Sequence, residues 1–329
     1  MHATRPVLAA AAATVAAVTL AACSAGEAAE TSPAAETATE TASEVPAEVT
    51  IETALGDATV ATEPQTVVVF EHGILDTIDT LGFGDSVAVI PHHALPSYLT
   101  DYTETTVNGG TLFEPDYEAI NAAEPDLIII GGRSASTYDQ MAEIAPTIDL
   151  SYDWGSEGYL ETLERNALAI GEIFGAADEA QVALDALSAQ ADEIAAAAPD
   201  AGAGLVVLTS GGHVNAFGPS DEGRFDFAYG VLGLEAITDQ GTIDEHGDSI
   251  SYEFLAELDP SWLIVIDRDA AIGEEGESAQ QLLDNDLVNG TSAATDGRIA
   301  YVTPENWYLS MGGLTAMSTV YDEIAALVG

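Results

Sequence analysis

Positive charge is so scarce in this sequence that each arginine is a candidate for a specific role. The chain has 56 acidic residues and six basic ones, all of them arginine. Arg133 and Arg268 each follow closely on an aliphatic run, Leu127–Ile130 and Leu263–Ile266. A guanidinium stays charged at any relevant pH and donates hydrogen bonds through a planar fork, which suits it to holding an anion. These two arginines are therefore candidates for binding a negatively charged ligand.

The two arginines end two copies of one sequence unit, which we interpret as a helix, a proline and a strand. The copies lie 135 residues apart, with the strand displaced by one more, and their matching members are Tyr117, Glu118, Pro125, Leu127–Ile130 and Arg133, then Tyr252, Glu253, Pro260, Leu263–Ile266 and Arg268. One copy in each half predicts two lobes with pseudo-twofold symmetry. Ligands of open α/β sheets bind beyond the carboxyl ends of the strands, so both arginines should line the cleft between the lobes.

The elements around these units alternate between strand and helix. Residues 49–61 alternate apolar with polar residues, as a hairpin does. Short apolar runs then alternate with segments of helical periodicity through residues 66–150 and again through 204–327, which predicts mostly parallel sheets covered on both faces. Between them, residues 158–197 carry Ala, Leu and Ile at helical spacing, interrupted chiefly by Gly171 and Gly175. This predicts one long helix or two abutting helices.

The N-terminus has the features of an export signal. Arg5 precedes an apolar run, Val7–Ala22, that is short for a membrane span. The run ends in Leu20-Ala-Ala-Cys23, which resembles the lipobox of bacterial lipoproteins and implies acylation of Cys23, the only cysteine. The alternative is an ordinary signal peptide with an incidental cysteine. We predict a signal peptide over 1–22, a disordered acidic tether over 23–48, an N-terminal lobe over 49–157, a linking helix over 158–200 and a C-terminal lobe over 201–329.

Composition excludes several classes of function. A chain this acidic lacks the basic surface that phosphate neutralisation requires, so nucleic acid binding is excluded. The acidic surface suits a high-salt habitat or solubility outside the cell. The sequence contains no nucleophile elbow, P-loop or HExxH motif, so we predict no enzymatic activity.

Segments along the whole of residues 50–329 resemble siderophore-binding proteins of ABC importers, most closely the branch that binds catecholate siderophores of the petrobactin and enterobactin type. The segments that carry the resemblance are Glu71–Thr77, Pro91–Leu99, Gly110–Glu118, Glu124–Arg133, Ile144–Asp149, Gly223–Phe227, His246–Ser251 and Trp307–Gly313. The resemblance implies an α/β fold of two Rossmann-like lobes joined by a single long helix, the class III periplasmic-binding-protein fold. It also implies a monomer without an intrinsic cofactor, which delivers an Fe(III)–siderophore complex to a membrane permease.

The resemblance also implies roles for particular residues. Arg133, Arg224 and Arg268 match three arginines that bind the anionic ferric complex. His246 and Tyr308 match residues that can coordinate the iron, although a hexadentate siderophore would leave them no coordination position; Tyr308 could instead stack in the cleft. Glu118 and Glu253 match the acids that dock on the permease, or are ordinary residues in the first turn of a helix.

Other arginines and histidines have less specific contexts. Arg165 lies in the helical stretch near Glu161 and Glu164, which predicts a solvated ion pair, and Arg298 lies in a predicted surface turn. His72 stands where the family commonly has an aromatic residue. His92 and His93 could contact the ligand or lie in a solvated loop.

Three alternative functions remain open from the sequence. The same fold could carry haem or a corrinoid; three cleft arginines favour an anionic chelate over a corrinoid but do not exclude haem. An enzyme could use His246 and Tyr308 with bound iron. An adhesion or sensor module would depend on the acidic surface rather than on the cleft.

Overall fold

Two five-stranded sheets organise the chain in the computed structural model, which describes residues 47–155, 158–220, 223–238, 243 and 247–329. The predicted signal peptide, Cys23, the tether up to residue 46 and His246 lie outside these residues. No helix in the described part of the chain is both long enough and apolar enough to cross a membrane.

The N-terminal lobe is built on a parallel sheet preceded by a hairpin. The hairpin predicted over 49–61 is confirmed, and its strands pair antiparallel. The main sheet has the order β5-β4-β3-β6-β7. Both faces of β3 and β6 are buried, as expected for a sheet covered by helices on each side. The elements are β1 Glu48–Thr53, β2 Gly56–Ala61, β3 Val67–Phe70, α1 His72–Thr80, β4 Val87–Ile90, α2 Tyr102–Thr105, β5 Val107–Asn108, α3 Tyr117–Ala122, β6 Leu127–Ile130, α4 Tyr138–Ala142 and β7 Thr147–Asp149.

The region between the lobes contains two helices, which is the second of the two alternatives that the sequence left open. Helix α5 spans Tyr159–Phe174 and α6 spans Ala177–Ala197. Gly175 ends α5 in the left-handed conformation at φ 72°, which a glycine adopts without steric cost. Helix α5 still joins the lobes, because its first half packs in the core of the C-terminal lobe and its second half in the core of the N-terminal lobe.

The C-terminal lobe is also built on a five-stranded sheet, but one edge of this sheet is antiparallel. Its sheet has the order β10-β9-β8-β11-β12, in which β9 and β10 run antiparallel to their neighbours. The elements are β8 Leu205–Ser210, β9 His213–Phe217, α7 Phe227–Gly230, β10 Asp248–Ile250, α8 Tyr252–Leu258, β11 Leu263–Asp267, α9 Arg268–Ala271, α10 Ala279–Leu283, α11 Asp286–Asn289, α12 Ser292–Thr295, β12 Ile299–Tyr301, α13 Pro304–Tyr308 and α14 Leu314–Val328.

The repeated sequence unit occupies equivalent places in the two lobes. Helices α3 and α8 begin at its tyrosines, and strands β6 and β11 each take the fourth position in their sheets. The predicted pairing of helix and strand is therefore confirmed at both sites.

A buried carboxylate in the N-terminal lobe caps the last helix of the chain. Asp76 on α1 accepts hydrogen bonds from the backbone N–H groups of Thr315 (2.8 Å) and Ala316 (2.9 Å) at the start of α14. It also accepts one from the Tyr98 hydroxyl at 2.5 Å. A side chain on Gly313 would collide with Asp76, because a Cβ there would lie 2.5 Å from the Asp76 Cβ. This cluster connects the two lobes beside the segment that carries Tyr308.

Two arginines outside the cleft bind carbonyl groups, which corrects both predictions made for them. Arg165 donates to the Ser151 carbonyl at 2.7 Å and to the Asn166 side chain, not to Glu161 or Glu164. Arg298 is partly buried and donates to the carbonyls of Ala201 (2.6 Å) and Leu327 (3.0 Å). Both therefore have structural roles.

We predict that Asp76→Asn removes a specific pH dependence of stability. Burial raises the pKa of Asp76 from its ordinary 3.8 to about 6. The folded protein then holds a proton that the unfolded chain releases, so this contribution is full below pH 4 and is lost as pH rises through 6. Urea unfolding between pH 4 and 7 should show wild type losing about 2 kcal/mol relative to Asp76→Asn. The exposed Asp57→Asn should follow wild type, and parallel curves for all three proteins would contradict the assignment.

Candidate functional site

Tyr308 lies at the centre of the cleft, where guanidinium groups from both lobes meet its backbone. It is the last residue of α13, so its carbonyl is among those that a helix leaves without an internal partner. Arg133 Nη2 donates to this oxygen at 2.8 Å and Arg224 Nη2 at 2.5 Å. One carbonyl thus connects an arginine of the N-terminal lobe with an arginine of the C-terminal lobe.

The Tyr308 side chain is surrounded by the same positive charges. Arg268 Nε donates to the phenol oxygen at 3.0 Å. The guanidinium carbons of Arg133, Arg224 and Arg268 lie 5.2, 4.9 and 5.5 Å from the ring centroid, within the range of cation–π attraction. Burial acts to raise the pKa of Tyr308, but the hydrogen bond from Arg268 and the three positive charges outweigh it and lower that pKa.

Arg224 is the most deeply placed of the three arginines. Its Nε is buried and has no hydrogen-bond partner among the described residues. Its guanidinium lies 5.5 Å from the Trp154 ring centroid. Burial, and then the neighbouring charge of Arg133, lower the pKa of Arg224 to about 9. Two adjacent cations in a partly dry cleft are unfavourable without an anion.

The two arginines predicted from the sequence repeat lie at the expected ends of strands. Arg133 follows β6 in a short 3-10 turn, and Arg268 directly follows β11. Arg268 Nη1 also donates to Ser210 Oγ at 3.1 Å, at the end of β8. Arg224 lies just before α7 and joins them, so the structure brings the three arginines and Tyr308 together.

A buried acid that the sequence analysis did not select faces two of the arginines. Glu71 is 4% exposed and directly follows β3. It lines a cavity of about 290 Å³ with Arg133, Arg224 and Trp154, completed by Gly132, Tyr152, Leu309 and Met311. Its position beyond the carboxyl end of a central strand is the signal that could have identified it.

Tyr308 is held in place by contacts on both sides along the chain. Before it, Trp307 Nε1 donates to Glu323 Oε2 at 2.7 Å, which fixes α13 against α14. After it, Ser310 Oγ lies 2.9 Å from the Tyr98 hydroxyl, and the Tyr152 hydroxyl donates to the Gly312 carbonyl at 3.1 Å. The N-terminal lobe therefore helps to position a residue of the C-terminal lobe.

The described histidines lie in three different environments. His72 is 1% exposed, and burial lowers its pKa to about 3. It is thus a neutral ring in the core. His92 Nε2 lies 3.0 Å from Thr106 Oγ1, and His93 is exposed. No group of three or more His, Cys, Asp and Glu side chains within the described ranges is placed to hold a metal ion.

The two glutamates of the repeat are exposed in the first turns of equivalent helices. Glu118 follows the Asp116 cap of α3, and Glu253 follows the Ser251 cap of α8. Both are on the surface, one on each lobe. Their environment fits contact with a partner and also fits the ordinary preference of acids for helix N-termini.

Comparison with known proteins relates this architecture to one family. The family model described as periplasmic binding protein matches residues 67–306. The petrobactin-binding protein YclQ of Bacillus subtilis is 36% identical over 267 residues, which cover 80% of this chain and 83% of YclQ. In the crystal structure of YclQ, the similarity covers 85% of this chain and 98% of that one, with a TM-score of 0.78.

Two further solved structures resemble this chain over nearly their whole length. The substrate-binding protein PiuA of an iron uptake ABC transporter from Streptococcus pneumoniae has a TM-score of 0.80 at 33% identity, covering 86% of this chain and all of PiuA (100%). The periplasmic catecholate-siderophore binding protein VctP from Vibrio cholerae has a TM-score of 0.77 at 33% identity, covering 85% of this chain and 99% of VctP.

Proposed function

Because the chain belongs to the periplasmic binding protein family, we propose that it captures a ferric siderophore outside the cell and delivers it to an ABC importer. The relatives are binding proteins, which supports the prediction that the chain is not an enzyme. The siderophore class is a catecholate, and the protein acts as a monomer. The observation that carries the proposal is the convergence of three guanidiniums on Tyr308.

The charge of the cleft matches an anionic ferric complex. Arg224 has a buried Nε without a partner in the described structure, and Arg133 is close enough to lower its pKa. Among the residues that line the cavity, Glu71 supplies the carboxyl group beside these two arginines. An anionic chelate would add negative charge beside the three guanidiniums and accept several charge-assisted hydrogen bonds at once.

We predict that ferric petrobactin binds with submicromolar affinity through these arginines. Trp154 lies against Arg224 and should report binding by fluorescence quenching. Each of Arg133→Ala, Arg224→Ala and Arg268→Ala should weaken binding roughly 10- to 100-fold, because each removes a charge-assisted hydrogen bond. The matched control is Arg298→Gln, which removes the same charge at a site that bonds Ala201 and Leu327 instead.

A ligand panel distinguishes the proposed class from its alternatives. Ferric petrobactin and a ferric tris-catecholate should quench strongly, whereas a cyano-corrinoid should not. Tighter binding of haem or ferric citrate than of both catecholates would replace the catecholate assignment. Failure of every ferric chelate to bind a folded wild-type protein would overturn the proposed function.

We further propose that Tyr308 and His246 coordinate the iron directly. A phenolate oxygen is a hard anionic donor suited to Fe(III), and imidazole can accompany it. The positive charges around Tyr308 lower its pKa and so favour the phenolate. The hydrogen bond from Arg268 occupies one acceptor site of that oxygen and leaves another for a metal. His246 is proposed from its sequence motif.

We predict that the charge-transfer band of the bound complex depends on both residues and on denticity. With a tetradentate ferric bis-catecholate, Tyr308→Phe and His246→Ala should each shift the visible band, because each removes an iron ligand. With a hexadentate tris-catecholate, neither variant should shift it, since no coordination position is left. Tyr138→Phe, which changes a tyrosine on α4 outside the cleft, is the control. An unmoved band with the tetradentate complex would exclude both residues as ligands.

Delivery to the importer is proposed to use one acid on each lobe and a lipid anchor. Glu118 and Glu253 are exposed in the first turns of α3 and α8, which occupy equivalent places in the two lobes. Their pairing fits a docking role on a permease. The Leu20–Cys23 motif supports acylation of Cys23 and extracytoplasmic anchoring to the membrane.

We predict that delivery can be lost while ligand binding is kept. In cells that depend on this importer for ferric petrobactin, Cys23→Ser should release the protein from the membrane fraction. The double variant Glu118→Gln, Glu253→Gln should stay in that fraction and yet fail to support iron uptake. Both purified proteins should quench as wild type does. Normal uptake by the double variant would exclude these acids as docking residues.

A further inference from the structure

Glu71 is a buried acid whose hydrogen bonds come from the backbone at the start of α1. It caps α1 by accepting from the Gly73 N–H, at the long distance of 3.4 Å. Its carboxylate packs against the backbone of Gly132, where an added Cβ would lie 3.1 Å from Glu71 Oε2. Gly132 also has a positive φ of 50°, so two independent constraints favour glycine there. The 3-10 turn that presents Arg133 therefore lies directly on Glu71.

Several titratable groups face Glu71 from the surrounding elements. Arg133 approaches from the 3-10 turn after β6, and Arg224 from the segment before α7. Tyr152, after β7, is fully protonated at neutral pH because burial and the nearby Glu71 and Asp76 charges raise its pKa. His72 on α1 is neutral. Arg133 and Arg224 are thus the positive charges that act on Glu71 from across the cavity.

The charge balance of this cavity must change when a ligand arrives. Glu71 is the acid that lines the cavity beside Arg133 and Arg224. Burial raises the pKa of Glu71, and the two arginines counteract that rise. An anionic chelate on the same arginines would neutralise their effect and add its own repulsion. Both changes favour the protonated carboxyl.

We propose that Glu71 takes up a proton when an anionic ferric chelate binds to Arg133 and Arg224, and thereby makes the affinity dependent on pH and on ligand charge. This inference rests on the proposed function. Glu71 is a specificity-determining residue in this scheme, because it opposes the negative charge of the ligand for as long as it remains ionised. Affinity for the chelate rises as pH falls, since the proton is then more readily available.

Calorimetry with ferric petrobactin tests the proposal. Titrations between pH 5 and 8, in buffers that differ in ionisation enthalpy, give the number of protons taken up per ligand bound. Glu71→Gln keeps the shape and the acceptor of the side chain but cannot titrate. Per ligand bound, wild type should take up as much as one proton more than Glu71→Gln does. At pH 8 the variant should bind the chelate about tenfold more tightly than wild type. Protonation of the chelate itself contributes equally to both proteins, so it cancels when their proton uptakes are subtracted.

Two further measurements complete the test. Glu143→Gln, which removes an exposed acid next to α4 of the same lobe, should match wild type in proton uptake and affinity. If Glu71→Gln fails to fold, infrared difference spectra of 13C-labelled wild type should show the carbonyl stretch of a protonated carboxyl appearing on binding.

Equal proton uptake and parallel pH profiles in wild type and Glu71→Gln would overturn the role of Glu71 and leave the proposed function intact. Absence of the carboxyl band in the infrared spectra would do the same. Absence of binding by any ferric chelate is a different result, because it would remove the proposed function itself.

Discussion

The convergence of three guanidiniums on Tyr308 is the constraint on which the rest of the site depends. Like charges repel, and the buried Nε of Arg224 has no partner within the described structure. The arrangement holds together because Tyr308 offers a carbonyl at the end of a helix, an aromatic face and a phenol oxygen. These neutral groups stabilise the arginines less than a carboxylate or a chelate would. The site is therefore assembled before a ligand binds, with the carboxyl groups of Glu71 beside Arg133 and Arg224 and of Asp269 at 3.5 Å from Arg268.

The fold keeps this assembly in place by joining the two lobes on either side of Tyr308. Helix α5 contributes to both cores, and Asp76 of the N-terminal lobe caps α14 of the C-terminal lobe. Tyr308 ends α13 shortly before α14 begins, so contacts with both lobes determine its position. A small movement between the lobes would change the distances from Arg133 to Tyr308 and from Arg224 to Tyr308 unequally. The contacts that determine how the lobes are positioned therefore also determine the affinity for the ligand.

Sequence patterns predicted the architecture better than the details of the site. Alternating strands and helices predicted two α/β lobes, and the repeated unit correctly located Arg133 and Arg268 at strand ends. Periodicity left open whether the linking region is one helix or two, because a glycine inside an apolar pattern does not reveal whether it adopts the left-handed conformation that ends α5. Neither the shared Tyr308 carbonyl nor the burial of Glu71 could be predicted, since both arise from contacts between segments distant in sequence.

The scarcity of arginine was informative for a physical reason that also explains the two wrong assignments. An exposed ion pair contributes little, because solvent and salt screen it, so arginine can be lost from the surface at little cost. The arginines that remain serve where a fixed, forked donor is needed. Arg165 and Arg298 bind backbone carbonyls, and Arg133, Arg224 and Arg268 converge on Tyr308. Screening acts over about 8 Å at physiological salt, so the acidic exterior repels an anionic ligand only weakly at a distance. The cleft arginines attract the ligand at contact distance, where salt screens least. Because the repulsion is screened and the attraction is not, so acidic a chain can still bind an anion.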